Sequence, residues 1–273
     1  MNIEWKALND EAMLLYEQGH YNRAVVVTKK ALRVAEQALE PNHLDMATSL
    51  NNLALMYKTQ DRLAQAEPLY EHALAIREKA LGPDHPDVAT SLNNLAELYR
   101  VQGQVAQAES LFKRALAIRE KALGPDHPDV ATSLINLALM YKTQGQVAQA
   151  ALLYERALAI QEKALGPDHP DVATSLNNLA RLYDNQGQYA QAEPLFKRAL
   201  AIREKDFGVP PPHPVLKSTH ESSGAPGGVP DGVLGGVAGL LGVVLGVVDV
   251  VTGNAPLIIS SGSSREDTSY HGD

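Results

Sequence analysis

Four histidines are the first residues that suggest chemistry. His43, His85, His127 and His169 follow one another at intervals of 42, and the last three lie in the string Asp-His-Pro-Asp. Imidazole beside carboxylate is the material of a metal site or of an acid–base pair. The even spacing argues against both. If each histidine belongs to its own structural unit, its equivalents are separated by packed helices whose axes lie about 8–10 Å apart. A shared metal would need its ligands at roughly 2 Å. The same string reads well as the start of a helix, with Pro at a first helical position and Asp complementing the positive helix end. The sequence also lacks a Gly-rich phosphate loop, a nucleophile elbow and a His-Glu-x-x-His motif. It has no cysteine, and so no thiol nucleophile, disulfide framework or thiolate zinc site. The expectation is a protein that is not an enzyme, with no metal and no cofactor.

A second set of residues suggests binding instead. Asn52, Asn94, Asn136 and Asn178 share the 42-residue register, as do Lys58, Arg100 and Lys142, and Arg181 lies close to the last asparagine. A side-chain amide offers two donors and an acceptor, so it can pair with a peptide backbone whatever the peptide's sequence. The cations would add a preference for acidic groups.

The elements that must hold these residues repeat with them. Ala-Thr-Ser-Leu occurs at 47–50, 89–92, 131–134 and 173–176, and a weaker copy precedes these, with Gly19, Ala24 and Ala31 in register with Gly103, Ala108 and Ala115. A fixed period of this length marks a stack of small units, each too small to fold alone. Five units are expected within residues 1–205, at about 3–38, 44–80, 86–122, 128–164 and 170–205. Each reads as two helices. Leu50, Leu53, Ala54 and Tyr57 make one apolar stripe at helical spacing, and Leu63, Ala66, Leu69, Tyr70, Ala73 and Leu74 make a second. Asp61 breaks the pattern where later units place Gly103, Gly145 and Gly187. Gly82 suits the left-handed turn that ends a helix, and Pro83 blocks its continuation. Pro68 and Pro194 fall early in their helices, where each costs one hydrogen bond.

Small Ala54, Ala66 and Ala73 among bulky Leu50, Leu53, Tyr57 and Tyr70 resemble the tetratricopeptide repeat (TPR). The 42-residue period, with Asn-Asn-Leu-Ala-Glu-Leu-Tyr (93–99) and Arg-Ala-Leu-Ala-Ile-Arg-Glu-Lys (114–121), is similar to the kinesin light chain subclass. The resemblance covers about three-quarters of the chain. It implies an all-α, right-handed superhelical solenoid of five helix-turn-helix units, with a concave peptide-binding groove lined by the first helix of each pair. The first unit departs from the pattern, with Leu15 and Thr28 in place of the two tyrosines, and is expected to be a looser cap. The heptad segment by which kinesin light chains join a motor is not among these residues, so a motor-subunit role is not implied.

On a helical wheel Thr48, Asn52, Leu55 and Thr59 fall opposite the apolar stripe, with Asn51 and Lys58 at the edge. These positions are the expected groove. The third and fourth units differ at ten of 42 positions, and four of the ten lie on this face: Asn93/Ile135, Glu97/Leu139, Arg100/Lys142 and Val101/Thr143. Two readings of the fixed asparagines stand open: Asn52, Asn94, Asn136 and Asn178 meet the ligand backbone, or they form a ladder between repeats. Lys58, Arg100, Lys142 and Arg181 are the expected charge contacts for an acidic peptide or a free C-terminus.

Bulk composition fits this picture. The formal net charge is −8, with 24 Lys and Arg against 32 Asp and Glu and no basic block, so nucleic acid is not an expected partner. Aromatics make up 5%, which leaves Ala and Leu to build the core. The first residues lack the apolar core of a signal peptide, and a cytoplasmic location is expected.

Beyond the repeats the composition changes. Residues 206–231 read as a Pro/Gly/Ser-rich linker, 232–251 as a Gly/Val/Leu apolar segment and 252–273 as a polar, disordered end. In the uncharged run 232–248, Gly232, Gly235, Gly239, Gly242 and Gly246 would share one helix face, a pattern that permits close helix contacts in lipid. Three readings stand open: a short membrane-contacting helix that self-associates, packing on the last repeat, or a low-complexity tail. A membrane-tethered or self-assembling structural protein is thus the alternative to a peptide-binding scaffold.

Overall fold

The structure, a computed structural model, describes residues 3–38 and 43–206. These residues form ten helices and, among them, no strand. The helices come in pairs: α1 (Ile3–Glu17) with α2 (Tyr21–Ala38), α3 (Leu44–Thr59) with α4 (Leu63–Leu81), α5 (Pro86–Val101) with α6 (Val105–Leu123), α7 (Pro128–Thr143) with α8 (Val147–Leu165), and α9 (Pro170–Asp184) with α10 (Tyr189–Asp206). Of the linker expected at 206–231, Asp206 instead ends α10; the rest of the linker, the apolar segment and the polar end lie outside the described residues. Among the described residues no helix is long and apolar enough to cross a membrane.

The histidine strings start the odd helices. In α3, α5, α7 and α9 the imidazole Nδ1 of His43, His85, His127 or His169 accepts the backbone N–H of Asp45, Asp87, Asp129 or Asp171 at 3.1–3.2 Å. This satisfies one of the amides that a helix start leaves without a partner. Pro86, Pro128 and Pro170 follow at the first helical position.

Two kinds of turn alternate. Inside a unit, Gly103 (φ 76°) donates to the Arg100 carbonyl at 3.1 Å and Gln104 to Tyr99 at 2.8 Å, the paired bonds that close a helix C-terminus. Asp61 takes this same conformation at φ 58°, and Arg62 donates to Tyr57 at 2.9 Å. Between units the geometry departs from the left-handed helical cap expected at Gly82. Gly82, Gly124 and Gly166 have φ 88–90° but ψ 155–157°, an extended backbone open in practice only to glycine. The chain must swing away from the helix axis at once so that the next histidine can cap, and a compact left-handed residue would not do that.

The stack has two layers. Each helix packs on its partner, and each even helix packs on the odd helix that follows. Odd helices also touch one another directly (α1–α3, α3–α5, α5–α7), while no pair of even helices packs comparably among the described residues. The odd side is the tighter one, so the odd helices form the inner, concave layer. Alanines make this approach possible: Ala54, Ala66, Ala73 and their equivalents are buried. Tyr70, Phe112 and Tyr154 fill the space between successive units and are also buried. The outer layer is bridged by long side chains instead. Arg114 meets Glu78 and Arg156 meets Glu120, each at 2.7 Å, and Arg198 meets Glu162. Lys121, Lys163 and Lys205 reach back to Asp84, Asp126 and Asp168. Such exposed pairs contribute little singly. Pro68 and Pro194 lie inside α4 and α10, and both helices run on past them.

Candidate functional site: the inner face of the odd helices

The inner face is more closed in the first three units than a helical wheel suggests. Asn51, Asn52 and Leu55 are buried, because neighbouring odd helices touch. Asn52 donates its side-chain amide to Oδ1 of Asn9 at 2.8 Å, and Asn94 donates to Oδ1 of Asn51 at 2.8 Å. Here the asparagines do form a ladder between units. Each such amide keeps a second N–H and its carbonyl oxygen for other partners.

The ladder opens at the third junction. Asn93 turns its amide to Ser133 Oγ at 3.2 Å. Its Oδ1 and the Nδ2 of Asn136 are both buried without a hydrogen-bond partner. At the fourth junction Ile135 stands where an asparagine would have accepted from Asn178. Asn136 and Asn178 are half-buried, and Asn136 shares α7 with the apolar Ile135 and Leu139.

The cations fall into two groups. Arg100 grips Glu97 in a bidentate pair, Nε to Oε2 at 2.7 Å and Nη2 to Oε1 at 2.8 Å, and this bond holds the guanidinium charge more firmly. Lys58 lies beside that pair. Burial lowers its pKa, Glu97 opposes the shift and Arg100 adds to it. The second group is Lys142 with Arg181. Burial lowers the Lys142 pKa, and the Arg181 charge lowers it further. Among the described residues neither has a carboxylate partner. All eight residues picked from the sequence thus lie on odd helices. The structure joins Arg100 to Glu97, leaves Lys142 and Arg181 without a carboxylate partner among the described residues, and gives Asn52 and Asn94 partners in the adjoining unit.

Sequence reasoning missed the serine of Ala-Thr-Ser-Leu. Ser49, Ser91, Ser133 and Ser175 are buried, and each bonds a side chain from another helix. Trp5 Nε1 donates to Ser49 at 2.7 Å, Arg77 to Ser91 at 2.6 Å and Arg119 to Ser133 at 3.0 Å, while Ser175 donates to Gln161. Arg119 also donates to the Asp129 carbonyl at 2.9 Å and to Thr90 Oγ1 at 3.1 Å. The identity of this serine in all four strings was the available signal. A second miss is Tyr70, whose hydroxyl is buried with no partner. Burial raises its pKa, and so do the nearby Tyr16 and Glu97. Among the described residues no cluster of three or more His, Asp or Glu could hold a metal.

Comparison with known proteins follows the same lines. The family model described as tetratricopeptide repeat matches residues 6–79, 45–121, 87–163 and 153–205. The crystal structure of nearly identical TPR-like repeats of a putative kinesin light chain from Podosopora anserina is 31% identical, covering 76% of this chain and 99% of that one with a TM-score of 0.61. BtubC (BKLC) from P. vanneervenii is 28% identical over 78% of this chain and 85% of that one, with a TM-score of 0.62. A Rap protein complexed with competence and sporulation factor shares the fold, with a TM-score of 0.63 at 17% identity over 74% of this chain and 56% of that one. No curated protein sequence matches the chain.

Proposed function

This chain belongs to the tetratricopeptide-repeat family in its kinesin light chain-like form, and from that premise we propose that it is a non-enzymatic scaffold holding an extended, acidic peptide or partner-protein segment against its odd helices. The observation that carries this reading is that Lys142 and Arg181, on the inner helices α7 and α9, have no carboxylate partner among the described residues while the Arg181 charge bears on Lys142. The two cations lie on adjoining odd helices, Lys142 half-buried and Arg181 exposed, and neither pairs with a carboxylate of the described residues. Holding like charges together in partial burial is unfavourable unless an anion relieves it. A peptide carboxylate would do so.

The surroundings fit an extended chain. Asn136 and Asn178 are half-buried, and each would turn its amide to a passing backbone carbonyl, Asn136 giving up no existing Nδ2 bond to do so. Asn52 and Asn94 would contribute through the amide hydrogen that the ladder leaves over. Lys58 supplies a further charge, and Arg100 acts as one half of its pair with Glu97. The proposed site therefore has a strong half in units four and five and a weaker half in units two and three. Specificity would come from Ile135 and Leu139, which replace Asn93 and Glu97 of the preceding unit.

The experiment is a calorimetric titration of the full chain with acidic and basic peptides of matched length. The reading expects heat and saturation with the acidic set, weakened by salt. Preference for the basic set would overturn it.

A further inference from the structure

The two ends of the stack expose complementary parts of what is, everywhere inside it, one junction. Internally, the aromatic of an even helix (Tyr70, Phe112, Tyr154) and the residue of the next odd helix in register with Met56 (Leu98, Met140, Leu182) are all buried. Thr28 and Met56 show the contact directly, with Thr28 Oγ1 to Met56 Sδ at 3.1 Å. At the end of the stack Phe196 holds the aromatic position and is only half-buried, while Leu200 beside it is 52% exposed. At the beginning, Leu14 holds the Met56 position and is 54% exposed.

The polar parts of the junction are split in the same way. The outer ladder joins Glu78 to Arg114, Glu120 to Arg156 and Glu162 to Arg198. Glu204 continues the acidic series 42 residues beyond Glu162, and Lys30 precedes Arg114 by two periods in the basic series. The inner ladder joins Asn52 to Asn9 and Asn94 to Asn51. Its continuation leaves Asn177 at one end and Asp10 at the other, a donor amide and a carboxylate. We propose that copies of this chain join head to tail, α1 of one copy lying on α10 of the next. Leu14 then meets Phe196 and Leu200, Lys30 meets Glu204, and Asp10 accepts from Asn177.

The contact is heterologous and repeats the step between internal units, so each added copy leaves a free face and assembly continues past a dimer with concentration. It is also weaker than an internal junction. Glu11 stands where internal units have Leu53, Leu95, Leu137 and Leu179, and Ala7 where they have the stapling serine. This inference does not depend on the peptide groove.

Sedimentation velocity on the full chain over a range of concentrations tests it. The weight-average mass should rise without levelling at a dimer. Leu14→Glu and Leu200→Glu each remove one face at an exposed position, so helicity by circular dichroism should be unchanged and each variant alone should stay monomeric. Mixed in equal amounts, they should form a dimer and nothing larger, because one intact face remains on each. Lys30→Glu or Glu204→Lys should weaken association roughly twofold to fivefold, and the two changes in one chain should restore it. A mass independent of concentration, self-assembly by either Leu variant alone, or a mixture that stays monomeric would each overturn the proposal.

Discussion

Asn94 donates its side-chain amide to Asn51 of the preceding unit at 2.8 Å, and both residues are buried. The equivalent donor one unit later, Nδ2 of Asn136, is buried with no acceptor. Identical residues at identical places in the repeat thus do different things, because Asn93 has turned toward Ser133. Asn94→Ala should leave Asn51 Oδ1 without its donor and cost about 1–3 kcal/mol in chemical denaturation. Asn136→Ala removes an unsatisfied group and should cost well under half as much. Equal losses for the two would contradict this division.

The turn between units should depend on glycine for backbone reasons alone. Gly124 has φ 89°, and an added Cβ would meet nothing within 4 Å. Gly124→Ala should therefore lower stability by about 1–3 kcal/mol through conformational strain, without lowering helix content below the transition. Gly103→Asn should be much milder, since Asp61 already holds the corresponding place at φ 58° and Asn tolerates that region. Thermal unfolding of the two variants side by side gives the answer.

Phe112 joins the third unit to the fourth and is fully buried. Phe112→Ala should cost about 3–5 kcal/mol. Because each unit rests on its neighbours, the loss should concentrate there, and amide exchange should accelerate in α6 and α7 more than in α1 and α2. A uniform acceleration would show instead that the stack unfolds as one body.

Acidic-peptide binding should be lost at alkaline pH before an ordinary lysine titrates. Burial and then Arg181 lower the Lys142 pKa from 10.5, and burial lowers that of Lys58. The sign is fixed by the charge that binds. Below the depressed pKa the ammonium is present and holds a carboxylate; as pH rises through it, the charge and the affinity go. Above 10.5 a lysine is neutral in free and folded chain alike. A binding profile flat up to pH 10.5 would remove these lysines from the site.

The fold was legible because its causes are local and recur. Alanines at Ala54, Ala66 and Ala73, the Pro that starts α5, α7 and α9, and the 42-residue period all act within a unit or between neighbours. The conformation at Gly82 was only half legible: a glycine was needed, but the extended ψ follows from the capping histidine three residues later. The inner face was the hardest part. A helical wheel places Asn52 and Leu55 away from their own partner helix, yet cannot show how closely α1, α3 and α5 approach one another. That approach buries both residues. Nor does the wheel show that Arg100 folds back on Glu97, since three residues of separation also allows both to point into water.

The account rests most directly on the binding of one labelled acidic peptide to two charge-reversed chains, measured by fluorescence anisotropy. Lys142→Glu with Arg181→Glu reverses the inner pair; Lys121→Glu with Lys163→Glu reverses two exposed outer lysines. The inner variant should lose about tenfold or more in affinity, since a single charge-assisted hydrogen bond is worth roughly 1.5–3 kcal/mol, while the outer variant should bind as the parent does. Equal losses, or binding undiminished in the inner variant, would contradict the claim that this face holds the ligand.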